Sequence, residues 1–262
     1  MDGLTARAAG EAPPIALGEE LAAALAVGGA GLRLDLQPIC AAASLAPVGY
    51  EALLRWDHPR LGVLDAPPLL RAAAAVGRGI ALDAWVLVNA FRRRAAWKAG
   101  GPFLAVNVSA AGILDGHAAP MIRAAIDSTG VDPRGLLVEL PEAAVLHDLP
   151  AAGELAAMLR RAGIAVALDD FGAAAGSARV LRDIPFAVVK LDPLLTAGAE
   201  RPGVEAARIR AAVAAVVEMA HALGATTVAE GLETAEQMRA VRDAGCDALQ
   251  GWLLGRPGAG PA

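Results

Sequence analysis

The sequence, 262 residues long, predicts an α/β fold, a TIM (β/α)8-type barrel with its first strand antiparallel to the rest. Three observations carry this expectation. Eight short, mostly continuous apolar runs recur along the chain, the mark of strands buried on both faces. Amphipathic helical stretches separate most of them, and the total length suits one barrel domain. Only CAAASLAP (40–47) separates the first two runs. A helical crossover does not fit in that length, so these two strands are expected to pair antiparallel.

In chain order, residues 1–14 are rich in Ala, Gly and Pro and are expected to form a flexible tail, with residues 15–262 as a single domain. The first two strands are LRLDLQPI (32–39) and VGYEALLRW (48–56). A long helical stretch, LDAWVLVNAFRRRAAWKAG (82–100), follows and runs to a glycine, a helix-stop signal. The next three strands are FLAVNVS (103–109), LLVELPE (136–142) and AVALDDFG (165–172). The sixth, AVVKLD (187–192), precedes the helix EAARIRAAVAAVVEMAHALG (205–224), which also runs to a glycine. TTVAEG (226–231) and ALQGWL (248–253) complete the eight. No repeat, charge run or interdomain linker breaks the series.

Composition narrows the function classes. Hydrophobic residues make up 56 % of the chain but aromatics only 3 %, and much of the apolar content is alanine. The most apolar helical stretch, AAVAAVVEMAHALG (211–224), carries Glu218 and His221. It falls short of the roughly 18–20 uninterrupted residues of a membrane span. The N-terminus shows no basic start followed by an apolar block, so no signal peptide is expected. A net charge of -5 without a basic stripe argues against a nucleic-acid polymer as partner, though not against one nucleotide in a cavity. Cys40 and Cys246 stand apart, with no CxxC pair, and suit buried thiols in a reducing cytoplasm. His58, His117, His147 and His221 show no metal-ligand spacing.

Polar residues gather toward the C-terminal ends of the expected strands, the face on which such barrels build their sites. Glu51 and Arg55 lie on the second strand, Asn107 on the third and Glu139 on the fourth. Asp169 and Asp170 end the fifth, Lys190 lies on the sixth, Glu230 ends the seventh and Gln250 lies on the eighth. One such acid alone is as often a satisfied structural residue as a ligand. Five carboxylates converging on one mouth would repel strongly unless cations sat among them. Carboxylate and amide oxygens, with no His or Cys among them, select Mg²⁺, Mn²⁺ or Ca²⁺ over zinc. An Asp-Asp pair can bridge two cations, and two ions ~3.5–4 Å apart clamp an in-line displacement at phosphorus. Lys190 and Arg55 would offer positive charge to phosphate oxygens or orient a water. A Schiff-base role for Lys190 is disfavoured, because a ring of acids raises its pKa where that chemistry needs it lowered.

Nine motifs in order then identify a relative. They are LQPI (36–39), EALLRWDHP (51–59), VNVS (106–109), VELPE (138–142), ALDDFG (167–172), VVKLD (188–192), VAEGLET (228–234), GCDALQGW (245–252) and GRP (255–257). The sequence resembles the EAL domain family, the cyclic di-GMP phosphodiesterases and their catalytically silent relatives. The resemblance implies two ions per site, Mg²⁺ or Mn²⁺, with Ca²⁺ binding without supporting turnover. It implies that Glu51, Asn107, Glu139 and Asp169 hold one ion. Asp169 and Asp170 would hold the other, with Glu230 nearby. Water activated there would open cyclic di-GMP to linear pGpG, positioned by Lys190 and Gln250. Gln37, Leu53 and Arg55 match positions that contact the dinucleotide, and Glu142 matches the anchor of the loop after Asp170. Glu233 matches a glutamate of the same wall, with a surface helix cap as an equal alternative. Members of the family often pair as homodimers; the sequence marks no interface.

The sequence departs from the family in that loop. Active members usually read DDFGTGYSS where this chain reads DDFGAAAGS (169–177), so Ala173, Ala174 and Ala175 replace Thr, Gly and Tyr. A further departure is LLRAAAAVG (69–77), where alanines replace the acids of a usual helix. Two functions therefore remain open: a working phosphodiesterase with a complete set of ligands, or a weak or silent receptor for the dinucleotide.

Overall fold

The alternating pattern is realised as a closed barrel. The computed structural model describes residues 14–98, 100–173 and 178–261. Its strands are β1 (Leu32–Ala41), β2 (Pro47–His58), β3 (Gly62–Leu64), β4 (Phe103–Asn107), β5 (Leu136–Pro141), β6 (Ala165–Phe171), β7 (Val188–Leu191), β8 (Thr226–Ala229) and β9 (Ala248–Gln250). The sheet runs β1-β9-β8-β7-β6-β5-β4-β2 and closes through β1–β2 pairing. Strand β1 is antiparallel to both its neighbours, and the other barrel pairs are parallel. The antiparallel first strand follows from the short connection, as expected. Strand β3 is an addition: it pairs antiparallel with the end of β2, outside the barrel. It is three residues long and half solvated, so it leaves no apolar run to notice.

The helices are α1 (Pro14–Ala26), α2 (Ala66–Ala75), α3 (Gly79–Ala95), α4 (Ala110–Leu114), α5 (Ala118–Thr129) and α6 (Glu142–His147). They continue with α7 (Leu149–Arg161), α8 (Ala178–Asp183), α9 (Pro193–Thr196), α10 (Val204–Ala222) and α11 (Ala235–Asp243). Helix α1 begins at Pro14, inside the stretch expected as a tail; residues 1–13 lie outside the described residues. Helix α3 stops at Ala95, ahead of Gly100, and Trp97 beyond its end packs edge-on against Tyr50 at 5.7 Å. Helix α10 ends before Gly224, as expected. Among the described residues, no helix is long and apolar enough to cross a membrane.

Two apolar layers form. The larger packs the outer strand faces against the helices. The smaller fills the barrel interior with Ile39, Ala105, Leu137, Ala167 and Val228, joined by Phe103, Ala165, Val188 and Ala248. Strand side chains alternate between faces, so residues two further along point the same way. Two positions beyond this plug come Asn107, Glu139, Asp169, Lys190, Glu230 and Gln250, with Gln37 arriving in reverse on antiparallel β1. The polar site is thus the next interior layer above an apolar floor.

Candidate active site at the barrel mouth

Lys190 is the centre of that layer. It is 1 % exposed. Its Nζ lies 2.7 Å from Glu230, 2.9 Å from Glu139, 3.0 Å from Asp169 and 3.5 Å from Glu51. Burial alone would lower its pKa, but Glu139, Glu230, Glu51 and Asp169 outweigh it and hold the ammonium well above its ordinary value.

The carboxylates fare unequally. Burial opposes the charge of Glu51, yet Lys190 together with amide donors from Gln250 at 2.6 Å and Asn107 at 2.7 Å overcomes it and lowers its pKa. Glu139 has no amide donor. Burial drives its pKa well above the carboxylate range, against the pull of Lys190. Glu230 is pushed up to about 8, by burial first and against Lys190. Oε1 of Glu139 and Oδ1 of Asp169 touch the ammonium only as ion pairs, at no hydrogen-bonding angle, and Oε2 of Glu139 has no donor among the described residues. A single ammonium cannot neutralise so many buried acids, and the unpartnered oxygens are what a hard cation satisfies.

Asp170 reaches this site through a backbone irregularity. In a regular strand, consecutive side chains point to opposite faces. The register between β6 and β7 shifts between Leu168 and Phe171, and Asp170 takes a left-handed φ of 57°. Such a bulge re-aims a side chain, and aspartate tolerates this conformation better than most residues. As a result, ligand oxygens of Asp169, Asp170 and Glu230 lie within 4.8 Å of one another. Solvent reaches Asp170, but desolvation and then the charges of Asp169 and Asp192 raise its carboxyl to about 6. The donor set fits divalent cations: all oxygen, incompletely paired and electrostatically frustrated.

The cavity above this floor has a volume of about 430 Å³ and is lined by Gln37, Glu51, Asp169, Asp170, Lys190, Glu230, Glu233, Gln250 and Trp252, among others. Gln37 donates to the Gly255 carbonyl at 3.2 Å and accepts from Gln250 at 3.3 Å. Leu53 and Arg55 stand on the Glu51 face of β2, further along the strand, and do not line this cavity. Arg55 lies 3.7 Å from Asp35 and donates to the Leu54 carbonyl at 2.8 Å. Glu142 is buried; its Oε2 accepts from the Gly172 amide at 3.2 Å, and its Oε1 has no partner among the described residues. Ala174 and Ala175 lie outside the described residues. The cap of α11 is formed by Thr234 and Gln237 as a reciprocal capping box. The Glu233 side chain takes no part in that box and lines the cavity instead.

The remaining polar residues stay outside the site. Among the histidines, His58 pairs with Glu20 and His221 with Asp247, each at 2.8 Å. Cys40 and Cys246 are buried free thiols, and burial lifts Cys246 to about 12. Sequence patterning alone missed Trp252 as a wall residue, since a tryptophan at a strand end reads as core.

The fold and site together define an α/β barrel with a reversed first strand and a carboxylate-rich mouth around one lysine. The chain belongs to the EAL domain family, whose match covers residues 19–257. It is similar to the bifunctional diguanylate cyclase/cyclic di-GMP phosphodiesterase MucR of Pseudomonas aeruginosa. The two are 32 % identical over 229 residues, which is 86 % of this chain and 33 % of MucR. Among solved structures it resembles the PaMucR phosphodiesterase in its c-di-GMP complex, with a TM-score of 0.84 and 30 % identity, covering 93 % of this chain and 98 % of that one. It also resembles Klebsiella pneumoniae BlrP1 in a calcium/cy-diGMP complex, with a TM-score of 0.76 and 28 % identity, covering 88 % of this chain and 56 % of that one. The chain spans about a third of the length of the curated relatives it matches.

Proposed function

We propose that this chain is a metal-dependent phosphodiesterase that hydrolyses cyclic di-GMP to linear pGpG. The observation that carries the reading is the buried ring of carboxylates around Lys190, with oxygens left unpartnered beneath an open cavity. Glu51, Asn107, Glu139 and Asp169 would hold one Mg²⁺ or Mn²⁺, and Asp169 and Asp170 a second, with Glu230 beside it. Bound there, the ions supply Lewis acidity to the phosphodiester and a lowered pKa to water.

The chain's own groups do the rest. The Lys190 ammonium and Oε1 of buried Gln250, which has no partner among the described residues, would hold a water and fix its direction of approach. Gln37 would hold the dinucleotide at the cavity wall, and Leu53 and Arg55, further along the Glu51 face of β2, would contact the part of it that extends beyond the cavity. Glu142 fixes the Gly172 amide, and with it the backbone that turns Asp170 inward. Ca²⁺ is expected to bind these oxygens without supporting turnover. A cytoplasmic location and pairing into homodimers belong to the same reading, on the family's habit.

The test is incubation with cyclic di-GMP and Mg²⁺ or Mn²⁺, following pGpG by chromatography, beside a binding titration in Ca²⁺. Binding without product would make the chain a receptor. The observation that favours this second function is that Oε1 of Glu142 has no partner among the described residues, and the sequence places alanines where active members carry Thr and Tyr hydroxyls.

That observation sets an expected outcome. Restoring Thr-Gly-Tyr at Ala173, Ala174 and Ala175 should raise the single-turnover rate about tenfold, equivalent to about 1.4 kcal/mol, within reach of one or two restored hydrogen bonds. Dinucleotide affinity should change less, because holding the ions and water for in-line attack is a transition-state demand. Equal rates at saturating Mn²⁺ would show that the loop does not limit the enzyme.

Arg55→Ala should weaken cyclic di-GMP binding by about 1.5–3 kcal/mol, the scale of a charged hydrogen bond. The thermal stabilisation by Mn²⁺ should persist, because Arg55 stands away from the ion-binding oxygens. An unmoved binding curve would make Arg55 a structural partner of Asp35.

A further inference from the structure

Trp252 is the only aromatic among the described residues lining the cavity, and the chemistry above gives it no task. Its placement is built. Strand β9 ends at Gln250, and Gly251 then takes φ +158°, where an added Cβ would sit 2.1 Å from the Leu232 carbonyl oxygen. Only glycine fits there. The Leu232 amide donates to the Gln250 carbonyl at 3.1 Å, and the Leu253 amide donates to the Leu232 carbonyl at 3.0 Å. The Leu254 and Gly255 amides both return to the Gly251 carbonyl, at 3.0 and 3.2 Å. Trp252 therefore projects from a turn pinned on both sides, yet its side chain stays unburied, with the residue 54 % exposed.

The ring also carries a cation. The Arg256 guanidinium lies over it, 4.4 Å from the ring centroid. Arg256 is not among the residues lining the cavity. A large apolar ring left open to a cavity, fixed by its turn and carrying a cation, suits a flat aromatic partner.

We propose that Trp252, held by Arg256, is a stacking platform for one purine base of the cyclic dinucleotide, an inference that rests on the function proposed above. Stacking needs only the face of the base. The platform therefore supplies affinity, and recognition of guanine over adenine falls to polar groups elsewhere on the wall.

The experiment is a titration of the whole chain with cyclic di-GMP in Ca²⁺, read by calorimetry and by intrinsic fluorescence. The wild type should show quenching of an exposed tryptophan. Trp252→Ala should lose most of that quench and bind roughly tenfold more weakly. Trp252→Phe should lose the quench but keep most of the affinity, since a phenyl ring still stacks. Arg256→Ala should weaken binding roughly two- to fivefold, the range for an exposed cation–ring contact. Trp252→Ala binding as tightly as a wild type that binds would overturn the platform and leave the proposed function standing. A wild type that does not bind would overturn both. Unaltered melting curves are expected throughout, because Trp252 and Arg256 are surface residues.

Discussion

Asp169→Asn is expected to lower hydrolysis of cyclic di-GMP by roughly a hundred- to a thousandfold, the range for removing one preorganised stabilising group. Asparagine nearly matches aspartate in volume, so the turn that carries Asp170 inward survives. What disappears is the charge on the one ligand expected to serve both ion sites. Asp169 is buried, its Oδ1 stands 3.0 Å from Lys190, and its ligand oxygen belongs to the same cluster as those of Asp170 and Glu230. The amide nitrogen adds a repulsive donor next to an ammonium or a cation. Thermal stabilisation by Mn²⁺ should shrink along with turnover. Unchanged turnover would sink the two-ion assignment. Lost turnover with full Mn²⁺ stabilisation would move the ions away from Asp169.

The barrel could be read from the sequence because parallel strands buried on both faces leave continuous apolar runs such as AVAL in β6 and AVV before Lys190. The site was legible for the related reason that strand periodicity is strict. Once Ala105, Leu137, Ala167 and Val228 form a floor, Asn107, Glu139, Asp169 and Glu230 must stand on it. Where the backbone leaves regularity, the pattern goes silent. Strict alternation separates Asp169 from Asp170, and only the left-handed turn at Asp170 reunites them. The helix-forming pattern runs on past Ala95, but α3 ends there and Trp97 packs edge-on against Tyr50, a contact the sequence does not show. The charge near Arg55 is also tertiary, since Asp35 meets it only through the β1–β2 register.

Lys190→Met should produce the largest change in stability. Methionine replaces the length of the chain but not its charge. Breaking a buried ion pair by removing one partner costs about 3–5 kcal/mol. For a domain of this size that is roughly 6–20 °C in melting temperature without metal. The pH dependence follows from the shifted acids. Burial pushes Glu230 up to about 8 and Asp170 to about 6 in the folded chain, and raises Glu139 well above its ordinary value. Between the unfolded and folded values, the native state holds more protons than the unfolded chain. Metal-free stability should therefore be greatest in mild acid and be lost as pH rises toward about 8. Lys190 opposes that rise in all three acids, so its removal should steepen the loss. Divalent cations compete with those protons, and their stabilisation should grow from about pH 6 to about pH 8, more in Lys190→Met than in the wild type. Turnover should nonetheless fall, because the ions cannot replace an ammonium that orients the water. Melting curves at both pH values, with Mn²⁺ and with a chelator, read all of this. A metal-free variant as stable as the wild type at about pH 8 would show that Lys190 is not the counter-charge of the ring. A variant that has lost both turnover and Mn²⁺ stabilisation would make Lys190 the residue that keeps the ligands assembled, with no separate part in positioning water.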